Sequence, residues 1–570
     1  MPSRCDAPED AEARVVRQLA AALIYEELVE AVPTQVEGTA GFVWTLDGLR
    51  WRAQGATGPF GRPRLRPGSV EVRSRAGVWA AARLDAFASA LPGDAGELGR
   101  ELARTVALCR WNAAHVHRGD RRHLAFPELD AALDEGHPYH PSFKARTGFS
   151  DDDHRRFGPE AGATFQLHWL AVAPERIDAA LPADEATFLG RECGPETFAE
   201  LDRRRMAADA GGFGLCPIHP WQWAALKDGA LAPRLADGSI RALGPAGPRY
   251  RATQSVRTLA NVDDPARANV KLAMNMGNTS ALRTIEPHSV TVAPALSDWL
   301  AGIVAGDPGL NRRLAIQREY AGIVVDRDGP LGGQIAALWR ESVPALLEPG
   351  EEAVPFNALM ATERDGAPFI DRWLRRHGAS AWVDRLIEVA ALPVWRLLAA
   401  HGVATESHGQ NMVLVHRDGW PERLVLRDFH DSVEVTPDFL AAPDAFPNFG
   451  TIDPIYRDAA PDAYFVMSSV EELRALVMDA LFVFNLTEVS DLLARRYGFP
   501  EAEFWRRVER ALYAHAAAHG LGARQARLGF TAPEIAVERL LARKLDPGSA
   551  RSRAVPNIFA PSGARVREAS

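Results

Sequence analysis

The chain has 570 residues, a net charge of −9, 47% apolar residues and 24% charged residues. This excludes a lone small domain and a disordered chain, and it leaves roughly two to four packed units. A mildly acidic protein is also a poor partner for nucleic acid or an anionic membrane, both of which call for a basic patch.

Residues 11–30 place Val15, Val16, Leu19, Leu23 and Tyr25 at helical spacing, which predicts an amphipathic helix. Two alternating runs flank Asp47-Gly48 within 41–53 and predict a hairpin. A second strand pair is predicted over 70–83, then helix to about His117. Segments 136–150 and 212–223, rich in Pro, His and Gly, break the pattern. Short strands are predicted at 250–259, 270–276 and 282–285, helix at 295–320, a hairpin at 323–333 and helix at 335–347. A long helix is predicted over 382–400 and strands at 412–415 and 424–428, joined by HRDGWPE. Residues 465–544 read as mostly helical. The fold class is α+β in three closely packed lobes.

The most apolar stretch, 473–486, is interrupted by Asp479 and reads as a buried helix, so no bilayer span is expected. The first residues carry acids where a signal peptide needs an apolar run. Cys5, Cys109, Cys193 and Cys216 form no CxxC pair, which suits a reducing cytosol.

Lys plus Arg total 65, of which only Lys144, Lys227, Lys271 and Lys544 are lysine, leaving 61 arginines. A lysine that persists in such a background draws notice where a compact ammonium is needed and a guanidinium fork would not fit. One of the four, Lys271, falls in the first of four constellations. Ser255 and Arg257 share one face if 250–259 is an extended strand. With Lys271, Asn278, Thr279, Ser280, Arg283 and Thr284 they offer the cations and hydroxyls that a polyphosphate requires. A polar sheet edge with solvated arginines is the alternative.

The second is Glu406-Ser-His408-Gly-Gln-Asn411, followed by Arg427-Asp428. A hairpin would return Asp428 to the end that carries Asn411. That is a hard-oxygen pair suited to Mg²⁺ beside nucleotide phosphates, as in kinase-like phosphotransferases. An Asn-capped turn is the alternative.

The third is His137-Pro-Tyr-His140-Pro-Ser-Phe-Lys144. Its prolines forbid a zinc-binding helix face, and no further ligands follow at metal spacing. It reads either as a rigid loop presenting imidazoles and an ammonium to an anion, or as a plain connector. The fourth, Pro217-Ile-His219-Pro-Trp-Gln-Trp223, reads as packing. Walker, Rossmann, GxSxG and HExxH motifs are absent.

In order, HPYHPSFK, HPWQW, SVRT, KLAMNMGNTSALRT, ESHGQNMVL and LRDF resemble the siderophore synthetases that act independently of nonribosomal peptide synthetases, the aerobactin-synthetase-type IucA/IucC family. The likeness runs from about 130 to 560, including the closing segment LLARKLDPGSARSRAVPNIFAP. It implies a hand-like fold with a thumb at 1–150, fingers at 151–350 and a distantly kinase-like palm at 351–570. It also implies a cytoplasmic ligase using ATP and Mg²⁺, with no nucleic-acid or membrane partner, and a possible homodimer. Such a ligase adenylates a carboxylate of citrate or a related acid, joins it to an amine or hydroxyl, and releases AMP and pyrophosphate.

The resemblance places Ser255, Arg257, Lys271, Thr279, Arg283, His408 and Asn411 on the nucleotide, with His408, Arg283 and Lys271 as catalytic groups. Asn411, Asp428 and Glu406 would hold the metal. His137, His140, Lys144, Arg283 and Lys544 would face the acid or acceptor. One departure is Gly277-Asn278, where the family usually has an apolar or β-branched residue before the threonine. The competing readings are a small-molecule kinase built on the HGQN…D loop and a non-catalytic binding protein of the same fold.

Overall fold

The computed structural model describes residues 9–92, 95–116, 119–279, 281–430 and 432–561. Cys5, His117 and Ser280 lie outside these. The chain forms a mixed α+β fold built around two large antiparallel sheets, a smaller mixed sheet and a helical C-terminal part.

The first sheet contains Val32–Val36, Thr39–Leu46, Leu49–Thr57, Glu71–Arg73 and Trp79–Ala81, with Pro63–Leu65 on its side. The Asp47-Gly48 hairpin is present. Leu46 pairs with Leu49, and both turn residues have positive φ, 49° and 70°, as a two-residue primed turn requires. The helix Ala11–Tyr25 buries Val15, Val16, Leu19, Leu23 and Tyr25. Tyr25 meets Phe484 edge-on at 6.2 Å, so the N-terminal helix and the C-terminal part share one core.

The second sheet runs in the order Ile177–Ala180, Glu319–Val325, Ala336–Arg340, Asn269–Leu272, Thr258–Asn261, Ile240–Ala252, Phe165–Val172, Gly214–Ile218. It corrects three sequence expectations. Residues 336–340 form a fully buried strand and not a helix; a short apolar run buried on both faces carries no period to separate the two. The expected helix at 295–320 is instead Pro287–Gly306, followed by strands Leu314–Ile316 and Glu319–Val325. The expected strand 250–259 is the end of one strand and the start of the next, with a turn at 253–257 between them. Ser255 and Arg257 therefore sit in a turn and not on one strand face.

The helix Pro287–Gly306 is long and apolar enough to cross a membrane by composition alone. Here it buries Val290, Val292, Leu296 and Leu300 inside the fold.

The four-stranded sheet runs Leu314–Ile316, Trp420–Leu426, Met412–Arg417, Glu352–Pro355. The hairpin arms 412–417 and 420–426 are longer than expected, because Asp418-Gly419, with φ of 49° and 79°, turns the chain in two residues. Helical structure over 379–401 includes π-helical stretches at Ile387–Ala391 and Leu397–His401.

Candidate functional site

A cavity of about 880 Å³ opens where the segments meet. Its wall includes His137, Ser255, Arg257, Asn278, Thr279, Arg283, Glu406, His408, Asn411 and Asp428. Residues separated by nearly 300 positions thus face one space.

The turn at 253–257 is built on strained backbone. Val256 has φ 67° and is fully buried. A β-branched residue in this region is a steric outlier costing about 1–3 kcal/mol, and such strain concentrates at functional sites. Ser255 Oγ accepts the Thr258 amide at 3.1 Å, tightening the turn and leaving Ser255 and Arg257 at the cavity wall. Thr279 (φ 61°) and Asp428 (φ 72°) share this conformation.

The Arg257 guanidinium donates to the Thr284 carbonyl. Beside it, Arg283 Nε has no hydrogen-bond partner among the described residues. Burial, followed by the nearby Arg257 charge, lowers the Arg283 pKa to about 10. Two guanidiniums held together in a cleft are stabilised by an anion between them.

Gly277 at the base of this loop is explained by close approach. Its amide donates a hydrogen bond to Thr147 Oγ1 at 3.0 Å, and a Cβ there would lie 2.5 Å from that oxygen. The 136–150 loop therefore packs directly on this position.

Asn411, also on the cavity wall, precedes one hairpin strand and Asp428 follows the other. Pairing of Met412 with Leu426 brings them to the same end. Asn411 Nδ2 donates to the Glu406 carbonyl at 3.0 Å, which leaves its side-chain oxygen as the group able to bind a cation. His408 Nδ1 accepts the amides of Gln410 (3.1 Å) and Asn411 (3.3 Å). The ring's remaining proton is therefore on Nε2, which can donate to an oxyanion. Glu406 lies 3.9 Å from that nitrogen.

Burial lowers the His408 pKa to about 4, so the ring is neutral at pH 7. It takes up a proton only as pH falls toward that value, and a titration of its ¹⁵N shifts will show no change near neutrality. Gly409 permits this turn. A Cβ at 409 would lie 2.1 Å from Asn357 Oδ1. Gly409→Ala is expected to displace His408 and Asn411 and to lower kcat/KM at least tenfold with little loss of fold, about 1.4 kcal/mol of barrier; circular dichroism beside a turnover assay checks both parts.

Lys271 does not reach the cavity wall. It lies on a central buried strand, 1% exposed. The sequence reading put its ammonium on phosphate. The structure puts it on Asp428 Oδ1 at 2.5 Å, His430 Nδ1 at 3.0 Å and, further off, Glu319 Oε1 at 3.8 Å. Arg340 adds contacts to Glu319 at 2.7 Å and Asp428 at 3.2 Å. Burial would raise the Asp428 pKa, but Lys271 and Arg340 hold it well below the carboxylate range. Burial also pulls Lys271 down to about 8 against the pull of Asp428.

Of the substrate-side residues, only His137 and Arg283 line the cavity. His137 Nδ1 accepts the amides of Tyr139 and His140 at 3.1 and 2.9 Å. His140 is fully buried and accepts the Ser142 amide, a local fold contact. Lys144, 1% exposed, bonds Glu160 at 2.6 Å and the Asp134 carbonyl at 3.0 Å, so its ammonium is consumed internally. Lys544 is paired with Glu101; its neighbour Arg543 lines the cavity instead. Lys227 pairs with Asp228 at the surface. His219 caps a helix by accepting the Trp221 amide, a packing role.

Sequence reasoning missed Glu319, Arg340 and His430. His430 stands two residues after Asp428, beyond the strand that ends at Leu426, where no periodicity signals it. Arg340 was hidden in the run read as a helix.

Residues 125–361 match the family profile described as "IucA / IucC family", and residues 380–552 match one described as "Ferric iron reductase FhuF-like transporter". The chain is 34% identical over 525 residues to the citryl-spermidine/3,4-dihydroxybenzoyl-citryl-spermidine:spermidine ligase of Bacillus anthracis, covering 88% of this chain and 85% of that one. The crystal structure of the petrobactin biosynthesis protein AsbB from Bacillus anthracis superimposes with a TM-score of 0.90 at 32% identity, covering 96% and 94% of the two chains. Aerobactin synthetase IucC from Klebsiella pneumoniae gives a TM-score of 0.80 at 25% identity, covering 92% and 95%. With a relative this similar over nearly its full length, and with the motif residues gathered on one cleft, the chain belongs to the IucA/IucC family of siderophore synthetases that work independently of nonribosomal peptide synthetases.

Proposed function

We propose that this protein is an ATP-dependent ligase that adenylates a carboxylate of citrate or a citrate-derived acid and joins it to an amine, releasing AMP and pyrophosphate. The observation that carries this is the convergence of Arg257, Arg283 and His408 with the oxygen ligands Asn411 and Asp428 on one cavity. A carboxylate attacking an α-phosphorus brings two anions together. Preorganised guanidiniums and the His408 Nε2 proton stabilise the charge that develops on the phosphoryl oxygens. The new bond joins the carboxylate oxygen to the α-phosphorus, and the bond to pyrophosphate breaks. The amine then attacks the acyl carbon, and AMP leaves.

The donor chemistry fits Mg²⁺. Asp428 and the Asn411 side-chain oxygen are hard ligands on one rim, with Glu406 beside them. When bound there, the ion would add charge neutralisation at the phosphates. The spermidine ligase named above supports an amine acceptor, and a polyamine is the first to try. We also place the protein in the cytosol, where Cys109, Cys193 and Cys216 remain free thiols.

The test is a hydroxylamine-trapping screen with citrate and citryl-amine conjugates, with the nucleotide product identified. Hydroxamate with AMP and pyrophosphate is expected. ADP as the product would support a kinase, and absence of Mg-ATP binding by calorimetry would support a non-catalytic binding protein.

A further inference from the structure

The cluster behind Asp428 has the shape of a metal centre. Glu319, Asp428 and His430 each place one ligand atom within 4.8 Å of the others. Two carboxylates and an imidazole are a donor set for Mn²⁺ or Zn²⁺. Glu319 is fully buried, and its Oε2 has no hydrogen-bond partner among the described residues. An acid this deep ordinarily spends both oxygens. The cation present is the Lys271 ammonium, closest to Asp428 and His430.

We propose that Lys271 occupies a divalent-metal seat formed by Glu319, Asp428 and His430, and that its ammonium does there what a second metal ion would do: it fixes Asp428 and His430 at the cleft. The charge count agrees. Glu319 and Asp428 carry two negative charges, and Arg340 and Lys271 carry two positive ones, all in contact. Without the ammonium, one buried negative charge stays uncompensated beside three ligand atoms unless a cation enters. A tethered ammonium is always present, so the seat is filled without drawing on cellular metal. A compact ammonium approximates a spherical ion, whereas a guanidinium, such as Arg340 beside it, binds as a planar fork. This accounts for a lysine at 271 in a chain whose other cations are almost all arginine. The inference does not depend on which acid or amine the enzyme joins.

The experiment uses Mn²⁺ alone, without nucleotide, and follows free Mn²⁺ by electron paramagnetic resonance. Lys271→Ala is expected to bind one equivalent of Mn²⁺ more than the wild-type chain. Thermal unfolding of the variant, unlike that of the wild type, should shift upward with added Mn²⁺. Adding Glu319→Gln to Lys271→Ala should abolish both effects. Lys271→Ser serves if the alanine variant does not fold. Equal Mn²⁺ binding by the folded variant and wild type would overturn the proposal, as would an extra equivalent that survives Glu319→Gln.

Discussion

Arg283→Ala is expected to lower carboxylate-dependent pyrophosphate release by roughly 10²–10³-fold, the range for loss of one preorganised charge-stabilising donor. The fold should survive, because among the described residues the Arg283 Nε bonds nothing, and its backbone pairing with Met274 and Met276 is independent of the side chain. Removing it relieves the repulsion from Arg257, so the variant should be no less stable than wild type. Lysine at 283 restores charge but not the fork and should recover only part of the rate. The measurement is kcat/KM for pyrophosphate release beside urea unfolding of the same preparations. Near-normal turnover by the alanine variant would remove Arg283 from the reacting site.

The second large effect is on stability. Glu160→Ala should cost about 3–5 kcal/mol, the penalty for breaking a buried ion pair from one side. Glu160 accepts Lys144 at 2.6 Å and Arg146 at 2.6 and 2.8 Å, and all three side chains are at most 2% exposed. Burial would raise the Glu160 pKa, but Arg146 and Lys144 hold it well below the carboxylate range. Arg146 also contacts His154 at 3.1 Å, and His154 reaches Asn112 at 3.0 Å. The network therefore ties the 136–150 loop to two helices. Its loss should lower the urea midpoint strongly and loosen the loop that carries His137. Lys144→Ala should act in the same way, through stability. If that variant instead raised KM for the acid and left the midpoint unchanged, Lys144 would be a substrate ligand after all.

Much of the site is legible in the sequence because its residues cluster in short motifs. The His408–Asn411 turn and Asp428 could be brought together on paper, since a hairpin is a local structure and its register follows from its turn. Ser255 and Arg257 were found as residues, but on the wrong local frame, because strained left-handed backbone at Val256 leaves no trace in a period-2 pattern.

The sequence by itself determined the α+β class, the family-like motifs, the Asp47-Gly48 hairpin and two of the arginines at the cleft, Arg257 and Arg283. All rest on spacing along the chain or on residue type. Only the tertiary structure decided how the lysines divide. Lys144 and Lys544 are bound to Glu160 and Glu101, and Lys271 lies behind Asp428 and not in the cavity. The physical reason is that a buried charge is placed by its partners. Those partners, Glu160 and Glu101 on other helices and Glu319 and Arg340 on neighbouring strands, meet it only when distant segments pack.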